Sequence, residues 1–234
     1  MRKRISLLLT IFLFPVLIYA QDKPYFFGLG GSYLIPTGSL TLRFSTAGGL
    51  NFFYGYKSSD KWEWFGKIEY LNFNKENREK LKIKRNVNLG GSEVVRTFDL
   101  PKLETDLKIY GVSANSNARL FDYDFLNGDI TFGFGIYRWE SFRSAYFDTL
   151  RVDTMGTTYD AVILKVPSLK QLDWSGGFDV GMNLSLKIID PVWFEVNANY
   201  KAIIGELWAT LDLDLENISV FQMFELRLGL KARF

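Results

Sequence analysis

The stretch Phe221 to Phe234 reads FQMFELRLGLKARF. Counting back from Phe234, every second residue gives Ala232, Leu230, Leu228, Leu226 and Phe224; the set between them is Arg233, Lys231, Gly229, Arg227 and Glu225. A period of two puts these sets on opposite faces of one β-strand. One face is hydrocarbon with an aromatic at its end, and the other carries charges of both signs. In a soluble sandwich the apolar face points into a core. In a membrane barrel it meets lipid, and the charged face lines the lumen. This strand alone leaves both open.

Upstream the same alternation recurs. Leu172 to Ile188 sets Trp174, Gly176, Phe178, Val180, Met182, Leu184 and Leu186 against Asp173, Ser175, Gly177, Asp179, Gly181, Asn183, Ser185 and Lys187. Val192 to Lys201 opposes Val192, Phe194, Val196, Ala198 and Tyr200 to Trp193, Glu195, Asn197, Asn199 and Lys201. Ile130–Trp139, Leu103–Leu120, Trp62–Tyr70, Ala47–Lys57 and Tyr25–Ile35 complete eight predicted strands. In the strand from Leu103, Leu107 and Ile109 are out of phase with the outer set Tyr110, Val112 and Ala114, which predicts a bulge near Tyr110. Gly28 and Gly30 share a face with Ser32 and predict room for longer side chains across a narrow lumen.

Connections one, three, five and seven are long, while two, four and six are short. All long loops therefore lie at one end of an up-and-down sheet, as in outer-membrane barrels. The segment from Asn74 to Pro101 is a polar insertion with a hairpin tip at Asn88-Leu89-Gly90-Gly91, and Glu140 to Lys170 holds a second hairpin centred on Met155-Gly156. Lys80, Lys82, Lys84 and Arg85 make residues 75–85 basic. A solvated loop is the plainer reading of them, and a site for lipopolysaccharide phosphates the sharper one. Tyr54, Tyr56, Trp62 and Trp64 bracket the turn at Ser58-Ser59-Asp60 and read as part of an interfacial aromatic girdle.

The polar faces carry acids, amides and lysines at mid-strand, where the interior of a soluble barrel is apolar. The opposite faces form a belt of Phe, Val, Leu, Ile, Trp and Tyr far larger than the patches soluble monomers expose. Lipid outside removes that conflict. The expected fold is all-β: an eight-stranded antiparallel up-and-down transmembrane β-barrel. Its lumen is just wide enough for side chains to fill. The predicted filling is Glu63, Lys67, Glu69, Arg119, Asp173, Asp179, Lys187, Glu195, Lys201, Glu225, Arg227 and Lys231, six acids against six bases, with Asn115, Asn117, Asn183, Asn197 and Asn199. Arg227 and Glu225 are expected to belong to a paired network there.

The opening MRKRISLLLTIFLFPVLIYAQD has a basic start, an apolar run too short for a comfortable span, and Ala20 before a polar Gln21. Residues 1–20 therefore read as a cleaved signal peptide, and 21–234 as the barrel domain. Removing Arg2, Lys3 and Arg4 leaves 25 basic against 26 acidic residues, so the formal +2 gives no support to nucleic-acid binding. The chain contains no cysteine, which excludes a disulfide framework.

With its eight alternating strands, the YLIPTGSL opening, the Lys57 to Trp62 turn and the terminal Phe234, the chain resembles small outer-membrane β-barrel proteins of the porin-like superfamily that contains the OmpA and OmpX types. The resemblance implies the outer membrane of a Gram-negative-type bacterium. It also implies contact with outer-membrane lipid and lipopolysaccharide, and a C-terminal strand ending in Phe234 that the barrel-assembly machinery reads. A monomer is expected, without the periplasmic peptidoglycan-binding domain of full OmpA-type proteins. With neither histidine nor cysteine, Ser-His and Cys-His nucleophiles and most zinc sites are excluded. No catalytic, cofactor-binding or metal-ligating residue is expected, and no cofactor. Two roles remain: a structural or surface-interaction protein with a filled lumen, or a narrow channel or lateral gate for small or apolar solutes.

Overall fold

The computed structural model describes residues 24–89, 92–154 and 157–234. The predicted signal peptide and the centres of both hairpin tips, Gly90-Gly91 and Met155-Gly156, lie outside the described residues. Within them the chain forms β1 (Tyr25–Thr37), β2 (Ala47–Ser59), β3 (Trp62–Phe73), β4 (Lys82–Leu89), β5 (Ser92–Asp99) and β6 (Thr105–Tyr123). There follow β7 (Leu126–Arg143), β8 (Tyr146–Thr154), β9 (Thr157–Val166), β10 (Leu169–Ile189), β11 (Val192–Leu207) and β12 (Ile218–Arg233). Two short 3-10 turns, Gly38–Leu42 and Leu211–Leu213, lie in long connections.

Eight of these strands close a barrel in the order β1-β12-β11-β10-β7-β6-β3-β2, every pair antiparallel. Chain neighbours are barrel neighbours throughout, which is the predicted up-and-down topology. The remaining strands form two separate hairpins, β4-β5 and β8-β9, inside the third and fifth connections.

Facing follows the alternation. On β12, Leu228 is 49% exposed and the adjacent Arg227 only 3%, so hydrocarbon points out and charge points in. The outward set includes Leu29, Leu50, Phe52, Ile68, Val112, Phe134, Ile136, Met182 and Leu230, all exposed. Aromatics ring the short-turn end: Tyr25 stacks on Tyr54, Trp62 on Trp64, and Phe27 on Phe234 with ring centroids 5.4 Å apart. That is the girdle the turn at Ser58 predicted.

Space inside is tight, and the inward glycines meet it. A Cβ at Gly28 would run into the Phe53 ring, and one at Gly111 into the ring of Tyr137. One at Gly133 would press on the Asp179 carboxylate and the Asn115 amide.

The structure corrects three readings. No bulge occurs near Tyr110, because the pairing of β6 with β3 and β7 runs without interruption through it. Leu107 and Ile109 are out of phase with Tyr110 because they point inward, where both are fully buried. The seventh connection is shorter than Ile203 to Ser219, since β11 runs on to Leu207 and β12 starts at Ile218. And the third connection is not merely solvated. Leu81, Ile83, Leu100 and Leu103 pack with Tyr146, Leu150, Leu164 and Val166 from the fifth connection and Leu213 and Leu215 from the seventh, giving the loop end a hydrophobic core of its own.

Candidate functional site

The lumen is built in layers. Near the short-turn end, Lys231 Nζ lies 2.7 Å from Glu63 and 3.3 Å from Glu195, and sits 3.9 Å from the centre of the Phe26 ring. Arg119 and Arg233 each reach Glu63 at 3.2 Å, and Arg119 also pairs with Asp129. Arg227 stands above them, 3.8 Å from Glu195 with its guanidinium over the Phe53 ring. Amides fill the middle: Thr131 Oγ1 donates to Asn117, Asn197 donates to Thr131, and Asn115 to Ser113.

Higher still, Lys67 lies 3.4 Å from Asp179 and 3.7 Å from Glu69. Lys201 pairs with Glu69 and lies 3.3 Å from Glu225, whose other oxygen accepts a hydrogen bond from Ser32 Oγ. Such buried pairs hold because the interior field between opposite charges offsets their lost hydration, and each depends on its partner.

Above Lys201 the inward face turns to hydrocarbon. Leu34, Leu71, Phe73, Leu107, Ile109, Trp139, Ile203, Leu207, Ile218, Phe221 and Met223 form one buried cluster, joined by Leu40 and Phe44 from the first connection. Trp139 packs edge-on against Phe221 and donates its indole N–H to Ser175 Oγ at 2.8 Å. Two stoppers, one charged and one apolar, thus follow each other along the bore.

Most of the predicted filling is found there. Glu63, Lys67, Glu69, Asp179, Glu195, Lys201, Glu225, Arg227, Lys231 and the five asparagines are buried, and the Arg119 side chain is nearly so. Asp173 and Lys187 are not. Asp173 is exposed near the loop-end rim, and Lys187 pairs with Asp190 in a short turn. Lys187 sits near the short-turn end of β10, beyond the cover of the barrel, whereas Asp173 is exposed although Gln171, nearer the loop end on the same face, is buried. Arg227 and Glu225 share the network but choose other partners, Glu195 and Lys201. The predicted filling omitted two residues: Arg233, already set on the charged face of the last strand, and Asp129, which continues the inward phase of its strand two residues before Thr131.

The cap over the loop end is held by polar ties as well as by its core. Asp214, in the left-handed region at φ 51°, accepts the backbone N–H of Lys84 at 2.7 Å and pairs with Arg85 at 2.8 Å. Burial raises the Asp214 pKa, but those two contacts outweigh it and hold the carboxyl below its ordinary value. Lys82 lies 3.5 Å from Asp99. Part of the basic charge of residues 75–85 is therefore matched inside the cap.

Outside, a groove of about 630 Å³ runs across β2, β3, β6, β7 and β10. Leu50, Phe52, Ile68, Tyr110, Val112 and Trp174 line it, and Arg138 stands at its edge. Arg138 makes no ion pair among the described residues.

No family model and no curated protein matches the chain. Among solved structures, a major outer membrane protein from Thermus thermophilus aligns over 90% of this chain and 99% of its own, with TM-score 0.51 and 9% identity. Neisserial surface protein A aligns over 90% and 97% with TM-score 0.47 and 13% identity, and OprG from Pseudomonas aeruginosa over 91% and 96% with 0.44 and 10%. At these identities the likeness speaks for the fold, and the Thermus match carries it. The chain has the fold of an eight-stranded outer-membrane β-barrel. With its lipid-facing belt, that fold places it in the outer membrane.

Proposed function

We propose that the protein is a structural, surface-interacting barrel: a membrane anchor with a filled bore that presents a folded cap. One observation carries this reading, the succession of a charged and an apolar stopper along a single narrow lumen. Paired charges and packed hydrocarbon both exclude a continuous water path. The chain is read as non-enzymatic, because its inward carboxylates are engaged with cations and no histidine or cysteine is present to serve as a nucleophile or its base.

In this reading residues 1–20 are a cleaved signal and residues 21–234 form the barrel domain. The assembly machinery reads the terminal strand through Phe234, whose ring stacks on Phe27 and whose N–H donates to Tyr25. Outer-membrane lipid and lipopolysaccharide are the partners that the belt and the Arg138 groove face; nucleic acid is not a partner, and the barrel acts as a monomer. A second reading, a lateral gate for apolar solutes, draws on that groove, since Asn51, Glu69 and Gly111 lie at its floor beneath the outward side chains.

Single-channel recording in planar bilayers tests the proposal. The refolded protein is expected to show no large steady conductance. Conductance like that of a wide porin would overturn the filled-lumen reading.

A further inference from the structure

The four long connections meet where the apolar stopper ends, and two arginines are buried at that junction. Arg43 follows the first 3-10 turn, and Arg143 ends β7; each is 7% exposed. Arg43 Nη2 donates to the carbonyls of Trp208 and Glu216, at 2.9 and 2.7 Å. Arg143 Nη2 donates to the carbonyl of Pro167 at 2.9 Å. Neither guanidinium has a carboxylate within ion-pair distance among the described residues. The acid that acts on Arg143 is Asp212, exposed on the second 3-10 turn and acting only at longer range.

Donors are left over at this point. Arg143 Nε and Nη1 are buried with no hydrogen-bond partner, and so is Thr105 Oγ1. Thr105 is the cross-strand partner of Arg143 in the β6–β7 ladder, so the orphan groups are neighbours. Burying a donor unsatisfied is costly, and more so when the group is charged. Two cations held together add repulsion: burial and the nearby Arg143 bring the Arg43 pKa down to about 10. In the lumen every buried cation has an acid beside it. Here no carboxylate among the described residues comes within ion-pair distance of either arginine; the nearby Glu76 accepts the backbone N–H of Thr105 at 3.0 Å and pairs with Arg78.

We propose that Arg43, Arg143 and Thr105 form a binding site for a small oxyanion, a phosphate or sulfate group, at the base of the cap. A guanidinium offers parallel N–H groups that fit two oxygens of such an ion, and a threonine hydroxyl supplies a third contact. The ion neutralises the arginine pair and ties the first, third, fifth and seventh connections at one point. The site faces the interior beneath the cap, away from the lipid belt, so its ligand is a soluble anion. The inference does not depend on whether the lumen conducts.

The test is thermal unfolding of the detergent-folded barrel in inorganic phosphate against chloride at equal ionic strength. Phosphate is expected to raise the wild-type Tm, saturably and by about 2–4 °C. Arg43→Gln and Arg143→Gln should lose that rise, while Lys82→Gln, on the outside of the cap, should keep it. Equal wild-type melting in both salts would overturn the site, as would an undiminished rise in both arginine variants. A rise produced by phosphatidic acid in the micelle but not by inorganic phosphate would also overturn it, since it would mark a lipid site. Should the variants fail to fold, phosphorus NMR on wild type serves instead: the phosphate line should broaden on adding protein and sharpen again with sulfate. No broadening contradicts the proposal.

Discussion

The two halves of the lumen lie on the same inward strand faces and are filled by opposite chemistries. Toward the short turns, Lys231, Glu63, Arg119 and Asp129 crowd together with almost no water access. Toward the loops, Leu107, Ile109, Phe221 and Met223 are as deeply buried with no charge among them. Either half closes the bore. The charged half is stable only as a set, since each ion is tolerable because its partner is present. The apolar half is held by removal of hydrocarbon from water and by close packing, so its losses scale with the volume removed. An inward barrel face is therefore two environments in series.

The comparison breaks most sharply at Lys201. Lys201→Met leaves Glu69 and Glu225 facing each other in the buried interior, and unfolding stability should fall by about 3–5 kcal/mol. Adding Glu225→Gln should recover part of that loss, because the second change removes the stranded charge. Urea unfolding followed by gel mobility measures both. Strict additivity of the two changes would mean the pair is not coupled as described.

In the apolar half, Leu107→Ala should cost about 2–5 kcal/mol through lost burial and the cavity left behind. A second plug substitution on another strand, Ile218→Val, should add its own smaller cost without any recovery. Recovery there would erase the distinction between the halves.

The smallest effect belongs to the cap. Asp214→Ala should leave barrel unfolding within experimental scatter, while exchange of the Lys84 amide speeds up. Because its folded pKa is depressed, the Asp214 tie is fully present above the ordinary aspartate value of 3.8 and is lost as pH falls through the lower folded value. Amide exchange across that acid range should show the wild-type cap loosening toward the variant. A cap equally protected at all pH values would refute this.

How much was legible in the sequence follows from the same contrast. Alternation revealed the barrel, its facing and most of the charged filling, because Glu195, Glu225 and Arg227 each sit between outward hydrocarbons. The apolar stopper was hidden by the same rule. Leu107 and Ile109 obeyed the two-residue period, but an inward face was expected to be polar, so they read as a slip in register. Period tells which residues share a face; it does not tell which depth along the bore is covered. Lys187 shows the converse, correctly phased yet at the short-turn rim, and Asp173 is correctly phased yet exposed. The cap's core was obscured because Leu81, Leu150 and Leu213 come from three separate connections, and no periodicity links them. The Arg43–Arg143 junction carries no sequence signal either, for the two residues are a hundred positions apart.

The seam between β1 and β12 has a consequence in time. Phe26 pairs with Arg233 and Thr37 with Gln222, and Ser32 reaches Glu225 across 193 positions of chain. Until the last strand has been delivered, β1 keeps an open edge, and its ladder of backbone groups has nothing to bond to. Lys201 likewise waits for Glu225, and Glu63 for Lys231. The earliest-made strand is thus completed by the latest, and closure is one late event that no partial chain can rehearse.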